Sequence, residues 1–91
     1  MISEFDKKII TKFAKKYNLS TVILFGSSLS SSDPKDIDIG IKGIKPGEFF
    51  NFYWDVYRQL TKPVDVINLN KKNSFNRLIE QHGQLLYGKA V

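Results

Sequence analysis

Leu24-Phe25-Gly26-Ser27-Ser28, followed after a short gap by Asp36-Ile37-Asp38, is the stretch whose reading decides the fold. Its first part ends the apolar, β-branched run Thr21-Val22-Ile23-Leu24-Phe25, which reads as a buried strand stopped by Gly26. Its second part opens a strictly alternating run over 36–41. Asp36, Asp38 and Gly40 fall on one face and Ile37, Ile39 and Ile41 on the other, the pattern of a half-buried strand. Because strand side chains repeat with period two, the two carboxylates share a face. A Gly-Ser turn can hold phosphates through backbone N–H groups, and a neighbouring carboxylate pair can hold the magnesium that phosphates carry. The two segments together point to a nucleoside-triphosphate site. It is not a Walker loop, since no G-x-x-x-x-G-K-[ST] pattern occurs.

Working outward, residues 3–17 read as an amphipathic helix. Ser3 and Asp6 form an S-x-x-D capping box, and Phe5, Ile9, Phe13 and Tyr17 make an apolar stripe with Ile10 beside it. Asn18 is the expected stop. The serine-rich segment 27–32 is either one or two helical turns or a loop, and Asp33-Pro34 signals a turn. A second long helix is expected over 48–60, broken by Lys62-Pro63. A third strand follows over 64–69, then a helix over 74–82 capped by Ser74 and ended by Gly83. Leu85-Leu86-Tyr87 reads as a last apolar patch packing on the core. The expected architecture is a mixed α/β (α+β) domain, with a small mixed sheet of about three strands and flanking helices.

Asp65 lies between Val64 and Val66 in the third strand. A lone acid in an apolar strand is costly unless it faces an edge or finds a partner. If that strand lies beside the second, Asp65 shares the face of Asp36 and Asp38. Three adjacent carboxylates repel and raise one another's pKa values, and a divalent metal removes that penalty. Oxygen-only ligands favour Mg²⁺ or Mn²⁺ over zinc.

Composition narrows the setting. Ninety-one residues suit one small domain, marginal alone and helped by association with a partner. There is no cysteine, which excludes disulfides and thiolate metal sites. Ile9-Ile10 is flanked by lysines, so the N-terminus lacks a secretory apolar core. The longest apolar run is too short to span a membrane. A cytoplasmic location is expected. The net charge of +5 suits acidic partners, but the lysines are dispersed. Lys7, Lys8, Lys12, Lys15 and Lys16 fall on one helix, where a solvated face explains them, and no nucleic-acid-binding motif occurs, so nucleic acid is not an expected partner.

The order Gly26-Ser27, Asp36-x-Asp38 and a later Asp65 resembles the nucleotidyltransferase fold of the DNA polymerase β superfamily. In length and lack of additions the chain is similar to the minimal nucleotidyltransferases, the antitoxin partners of HEPN-domain toxins in two-gene modules. The resemblance runs from Phe5 to Tyr87, including the closing Leu78-Ile79-Glu80 and Leu85-Leu86-Tyr87-Gly88. It implies that Gly26 and Ser27 hold the β- and γ-phosphates of ATP or another NTP. It implies that Asp36 and Asp38 ligate Mg²⁺ or Mn²⁺, and that Asp65 shares a metal and assists deprotonation of the attacking hydroxyl. The partner it implies is a HEPN-type toxin in a hetero-oligomer; a homodimer is a separate candidate association. Two departures stand out: the family's turn is usually followed by an arginine and a glycine, whereas this chain has Ser28-Leu29-Ser30-Ser31-Ser32, and the gap from Ser27 to Asp36 is shorter than in the family. Ser28 is a candidate phosphate donor, and Lys35 or Lys42 a candidate replacement for the missing positive charge.

The helix over 48–60 is unusually aromatic. Phe49, Tyr53, Val56 and Leu60 form a stripe for the sheet, while Phe50, Trp54 and Tyr57 form a second stripe. That second stripe either packs on another helix or forms a partner interface. His82 is expected at a helix end on the surface. Two functions follow. One is a metal-dependent nucleotidyltransferase moving AMP or another NMP onto a partner's hydroxyl. The other is a binding module of the same fold that neutralises its partner by complex formation.

Overall fold

The computed structural model describes residues 2–30 and 34–89, without the side chains of Ser27 and Ser30. The elements are α1 (Glu4–Lys16), β1 (Thr21–Phe25), α2 (Ser27–Ser30), β2 (Ile37–Lys42), α3 (Phe49–Gln59), β3 (Val64–Asn68), α4 (Ser74–His82) and β4 (Gln84–Gly88). Four strands pair in the order β3-β2-β1-β4. β1 is antiparallel to both β2 and β4, and β3 is parallel to β2. The sheet thus has one strand more than expected. Leu85, Leu86 and Tyr87 form an edge strand on β1, with Leu86 and Tyr87 also packing on the core.

Helices cover both faces. Ile10, Phe13 and Ala14 of α1 and Phe52 and Val56 of α3 pack on Val22, Leu24, Ile37, Ile39, Ile41, Val64 and Val66. On the opposite face Ile79 of α4 packs with Ile23 and Leu69, flanked by Phe25 and Ile67. The alternation read from 36–41 therefore holds, with Ile37, Ile39 and Ile41 almost wholly buried. Among the described residues no helix is long and apolar enough to cross a membrane.

Several local expectations change. Ser3 caps α1 by accepting from the Asp6 amide at 3.1 Å, but the Asp6 carboxylate does not complete the capping box. It is buried and accepts from the Thr61 amide (3.0 Å) and hydroxyl (2.6 Å), tying α1 to the end of α3. Phe5, one residue earlier, is exposed: the buried face of α1 runs through Asp6, Ile10, Phe13 and Ala14. Phe52 fills the core, edge-on to Tyr17 at 5.7 Å, whereas Phe49 and Tyr53 are only half-buried. Asn18 ends α1 at φ 55°, as expected of that residue. Asn73, not Ser74, caps α4, accepting from the Asn76 amide at 2.8 Å. The segment after Gly26 forms one helical turn, and Ser31, Ser32 and Asp33 of the expected serine loop and turn lie outside the described residues.

Candidate nucleotide and metal site

The site lies at the end of the sheet where β1 finishes and β2 and β3 begin. Gly26 leaves β1 with φ +69°, a left-handed conformation that glycine adopts without strain. The Leu29 amide closes the turn on the Gly26 carbonyl at 3.1 Å. Phe25 pairs with Asp38 across β1 and β2, and Asp38 pairs with Asp65 across β2 and β3. Residues directly opposite one another point to the same face, so this register sets Asp38 and Asp65 side by side. Asp36 stands one residue before β2, exposed, rather than within the strand.

Asp38 leans over the turn. A Cβ built on Gly26 would meet Asp38 Oδ2 at 2.7 Å, so the carboxylate occupies the space a side chain there would need. Partial burial, then the charges of Asp65 and Asp36, hold the Asp38 carboxyl above its ordinary value. The effect is on Asp38, the carboxylate that stands between the other two. Asp65 is exposed on edge strand β3, which removes the burial penalty. The Tyr53 hydroxyl, reaching over from α3, donates to Asp65 Oδ1 at 3.2 Å and to the Val64 carbonyl at 3.1 Å. Burial and the neighbouring Asp65 charge push the Tyr53 hydroxyl up from its ordinary value. This contact was not legible in the sequence, where Tyr53 read only as part of an apolar stripe.

Ser28 takes a different role from the one expected. It is fully buried, its hydroxyl donating to the Phe25 carbonyl at 2.5 Å and accepting from the Asp38 amide at 3.2 Å. The hydroxyl is thus committed to joining the turn to β2, and is not a phosphate donor. Lys42 is also corrected: it pairs with Glu80 at 2.8 Å at the far end of β2. Lys35, beside Asp36, stays exposed.

Among the described residues no group of three or more His, Cys, Asp or Glu side chains is gathered tightly enough to hold a metal by itself. The donor set nevertheless suits Mg²⁺ or Mn²⁺. Such ions are commonly held by one or two carboxylates, with phosphates and water completing the shell. A carboxylate destabilised by its acidic neighbours gains from a cation.

The aromatic stripe of α3 is open. Phe50 is 79% exposed, Trp54 59% and Tyr57 55%, so among the described residues the stripe packs on no other helix. Trp54 and Tyr57 stack at 5.8 Å, and with Phe50 and Tyr53 they line one open groove. On the other side of α3, Asp55 accepts from Tyr17 at 2.7 Å, Lys16 at 3.1 Å and Arg58 at 3.1 Å. The other α1 lysines are solvated, and His82 is exposed at the end of α4.

No curated protein matches the sequence. Solved structures do match the fold. One described as a toxin-antitoxin with AMP-PNP aligns with TM-score 0.73 and 20% identity, over 91% of this chain and 73% of that one. The toxin-antitoxin MntA-HepT aligns with TM-score 0.70 and 18% identity, over 96% and 74% of the two chains. A tri-AMPylated HEPN toxin in complex with MNT antitoxin from Shewanella oneidensis aligns with TM-score 0.72 and 19% identity, over 97% and 74%. The sequence also matches the family described as "Polymerase beta, Nucleotidyltransferase" over residues 7–90. With the match spanning nearly the whole length and the turn and acidic strands in place, the chain belongs to the polymerase β nucleotidyltransferase family.

Proposed function

We propose that this chain is a divalent-metal-dependent nucleotidyltransferase that moves AMP, or another nucleoside monophosphate, from a triphosphate onto a hydroxyl of a partner protein. The observation that carries the reading is the Asp38 carboxylate standing over Gly26, beside Asp65. Backbone N–H groups of Gly26 and Ser27 take the β- and γ-phosphates. Asp36 and Asp38 hold Mg²⁺ or Mn²⁺, which when bound neutralises charge on the attacking and leaving oxygens. Asp65 faces the acceptor and receives its proton, while Tyr53 keeps one of its oxygens engaged. The acceptor oxygen bonds to the α-phosphorus, the α–β bridge bond breaks, and pyrophosphate leaves.

A HEPN-type toxin is the proposed acceptor and partner, and the proposed role is that of its antitoxin. The support is the fold shared with MNT antitoxins solved with HEPN toxins. The exposed Phe50, Trp54 and Tyr57 supply a surface for such a partner. The test is incubation with labelled ATP, Mg²⁺ and the product of the neighbouring gene. Label transfer by the wild type and its loss in Asp38→Asn support the reading; transfer by neither refutes it.

A second reading has its own observation. The buried Ser28 hydroxyl gives nothing to phosphate, and no arginine follows the turn. A non-catalytic module that neutralises its partner through the α3 aromatic face fits those facts. Neutralisation that survives Asp38→Asn but fails in Trp54→Ala/Tyr57→Ala would select it.

A further inference from the structure

Phe25 is the last residue of β1, directly before Gly26 and opposite Asp38. Its ring lies on the carboxylate face of the sheet, against the Ile23–Leu69–Ile79 cluster. Phe75, in the first turn of α4, stands edge-to-face on Phe25, with ring centroids 6.1 Å apart and planes at 85°. Phe75 is nevertheless 53% exposed. The fold thus fixes an aromatic ring at one edge, leaves much of it in water, and anchors it on the residue next to the phosphate turn.

We propose that Phe75 is the platform for the nucleobase: the base stacks on its ring while the Gly26-Ser27 turn takes the phosphates. This deepens the nucleotide-site reading above and rests on it. The geometry asks for a flat apolar ligand tethered to an anion, which is the chemistry of a nucleoside triphosphate. A ring already held by Phe25 needs little further ordering when a base lands on it. Stacking on an aromatic ring is tolerant of base identity, because every base offers a π-face. The platform therefore ranks ligands by stacking area, purine triphosphates above pyrimidine ones, with little distinction between adenine and guanine.

The test compares ATP with inorganic tripolyphosphate, a probe that keeps the phosphates and lacks the base. Binding of each with Mg²⁺ is measured by calorimetry on the full chain as wild type, Phe75→Ala and Phe75→Trp. Phe75→Ala is expected to weaken ATP roughly 5- to 150-fold, the range that a base–aromatic stack of about 1–3 kcal/mol converts to. Tripolyphosphate should bind all three proteins equally, and Phe75→Trp should restore ATP. If Phe75→Ala binds ATP like the wild type, or loses both ligands equally, the platform is wrong and the phosphate site stands apart from it. If the wild type binds neither ligand, the nucleotide-site reading falls and the platform with it.

Discussion

Gly26→Ala and Gly47→Ala form a matched pair that isolates the role of the turn. Both glycines have positive φ, +69° and +84°. Forcing an L-residue into that region costs roughly 1–2 kcal/mol. In a domain of this size each kcal/mol lowers Tm by about 4–8 °C. At Gly47 that is the whole effect, because among the described residues nothing lies within 4 Å of the position a methyl group would take. At Gly26 the new methyl group meets Asp38 Oδ2 at 2.7 Å, and ordinary contact begins at 3.4 Å. The carboxylate is the free end of a side chain, so it can swing away without moving the sheet. Stability should therefore fall by a similar amount in both variants, within about 1 kcal/mol of each other. Function should separate them: displacing a catalytic group by about 1 Å costs on the order of 100-fold. Thermal unfolding gives the first comparison; Mn²⁺ titration and label transfer give the second. Gly26→Ala with wild-type metal affinity and transfer would show that Asp38 does not need the space over the turn, and would refute the argument.

Other outcomes follow from the contacts around α3. The Tyr17 and Asp55 pair sets a pH window for stability. Tyr17 and the adjacent cations hold the Asp55 carboxyl below its ordinary value, so this contribution is present above the usual carboxylate range and is lost as pH falls through the depressed native value. Burial and then Asp55 push the Tyr17 hydroxyl from 10.0 to about 12, so on the alkaline side stability declines as pH rises from about 10 toward 12. Denaturant midpoints across pH should show both limbs, and Tyr17→Phe should shrink the alkaline one, leaving the part that comes from Tyr53. Tyr53→Phe deletes the bonds to Val64 and Asp65 and should cost about 0.5–1.5 kcal/mol in urea unfolding; an unchanged midpoint would mean those bonds carry no net stability. Trp54→Ala/Tyr57→Ala should leave Tm within a few degrees of wild type, because both side chains are mostly exposed, yet weaken partner capture by about 2 kcal/mol or more if they are the anchors of the interface.

The parts of this molecule that were legible from its residues are those governed by short-range pattern. The alternation of Ile37, Ile39 and Ile41 determined which face Asp38 takes, and the apolar run ending at Gly26 located the turn. Asp65 was legible because an acid between two valines demands an edge or a partner, and it has both. What the sequence did not reveal depends on tertiary partners far along the chain. Asp6 looked like half of a capping box, but its acceptors are used by Thr61. Ser28 looked like a phosphate donor because hydroxyls near a turn often are; its burial against Phe25 and Asp38 is decided by packing between β1 and β2. β4 was missed because a five-residue strand on an edge, half of it exposed, carries little alternation to read.

That last strand has a consequence for how the protein is made. β1 is the most thoroughly buried strand, and one of its two hydrogen-bonding edges is closed only by β4, with Val22 opposite Tyr87. On the ribosome, β1, α2 and β2 emerge early and can pair at once. The other edge of β1 then stays open until residues 84–88 are released. Throughout that interval the nascent chain presents an apolar strand able to recruit any extended segment nearby. Completion of the sheet therefore waits for residues 84–88 to emerge, although the turn itself is tied to β2 by Ser28. Truncation before Gln84 should yield aggregates rather than a weakened domain.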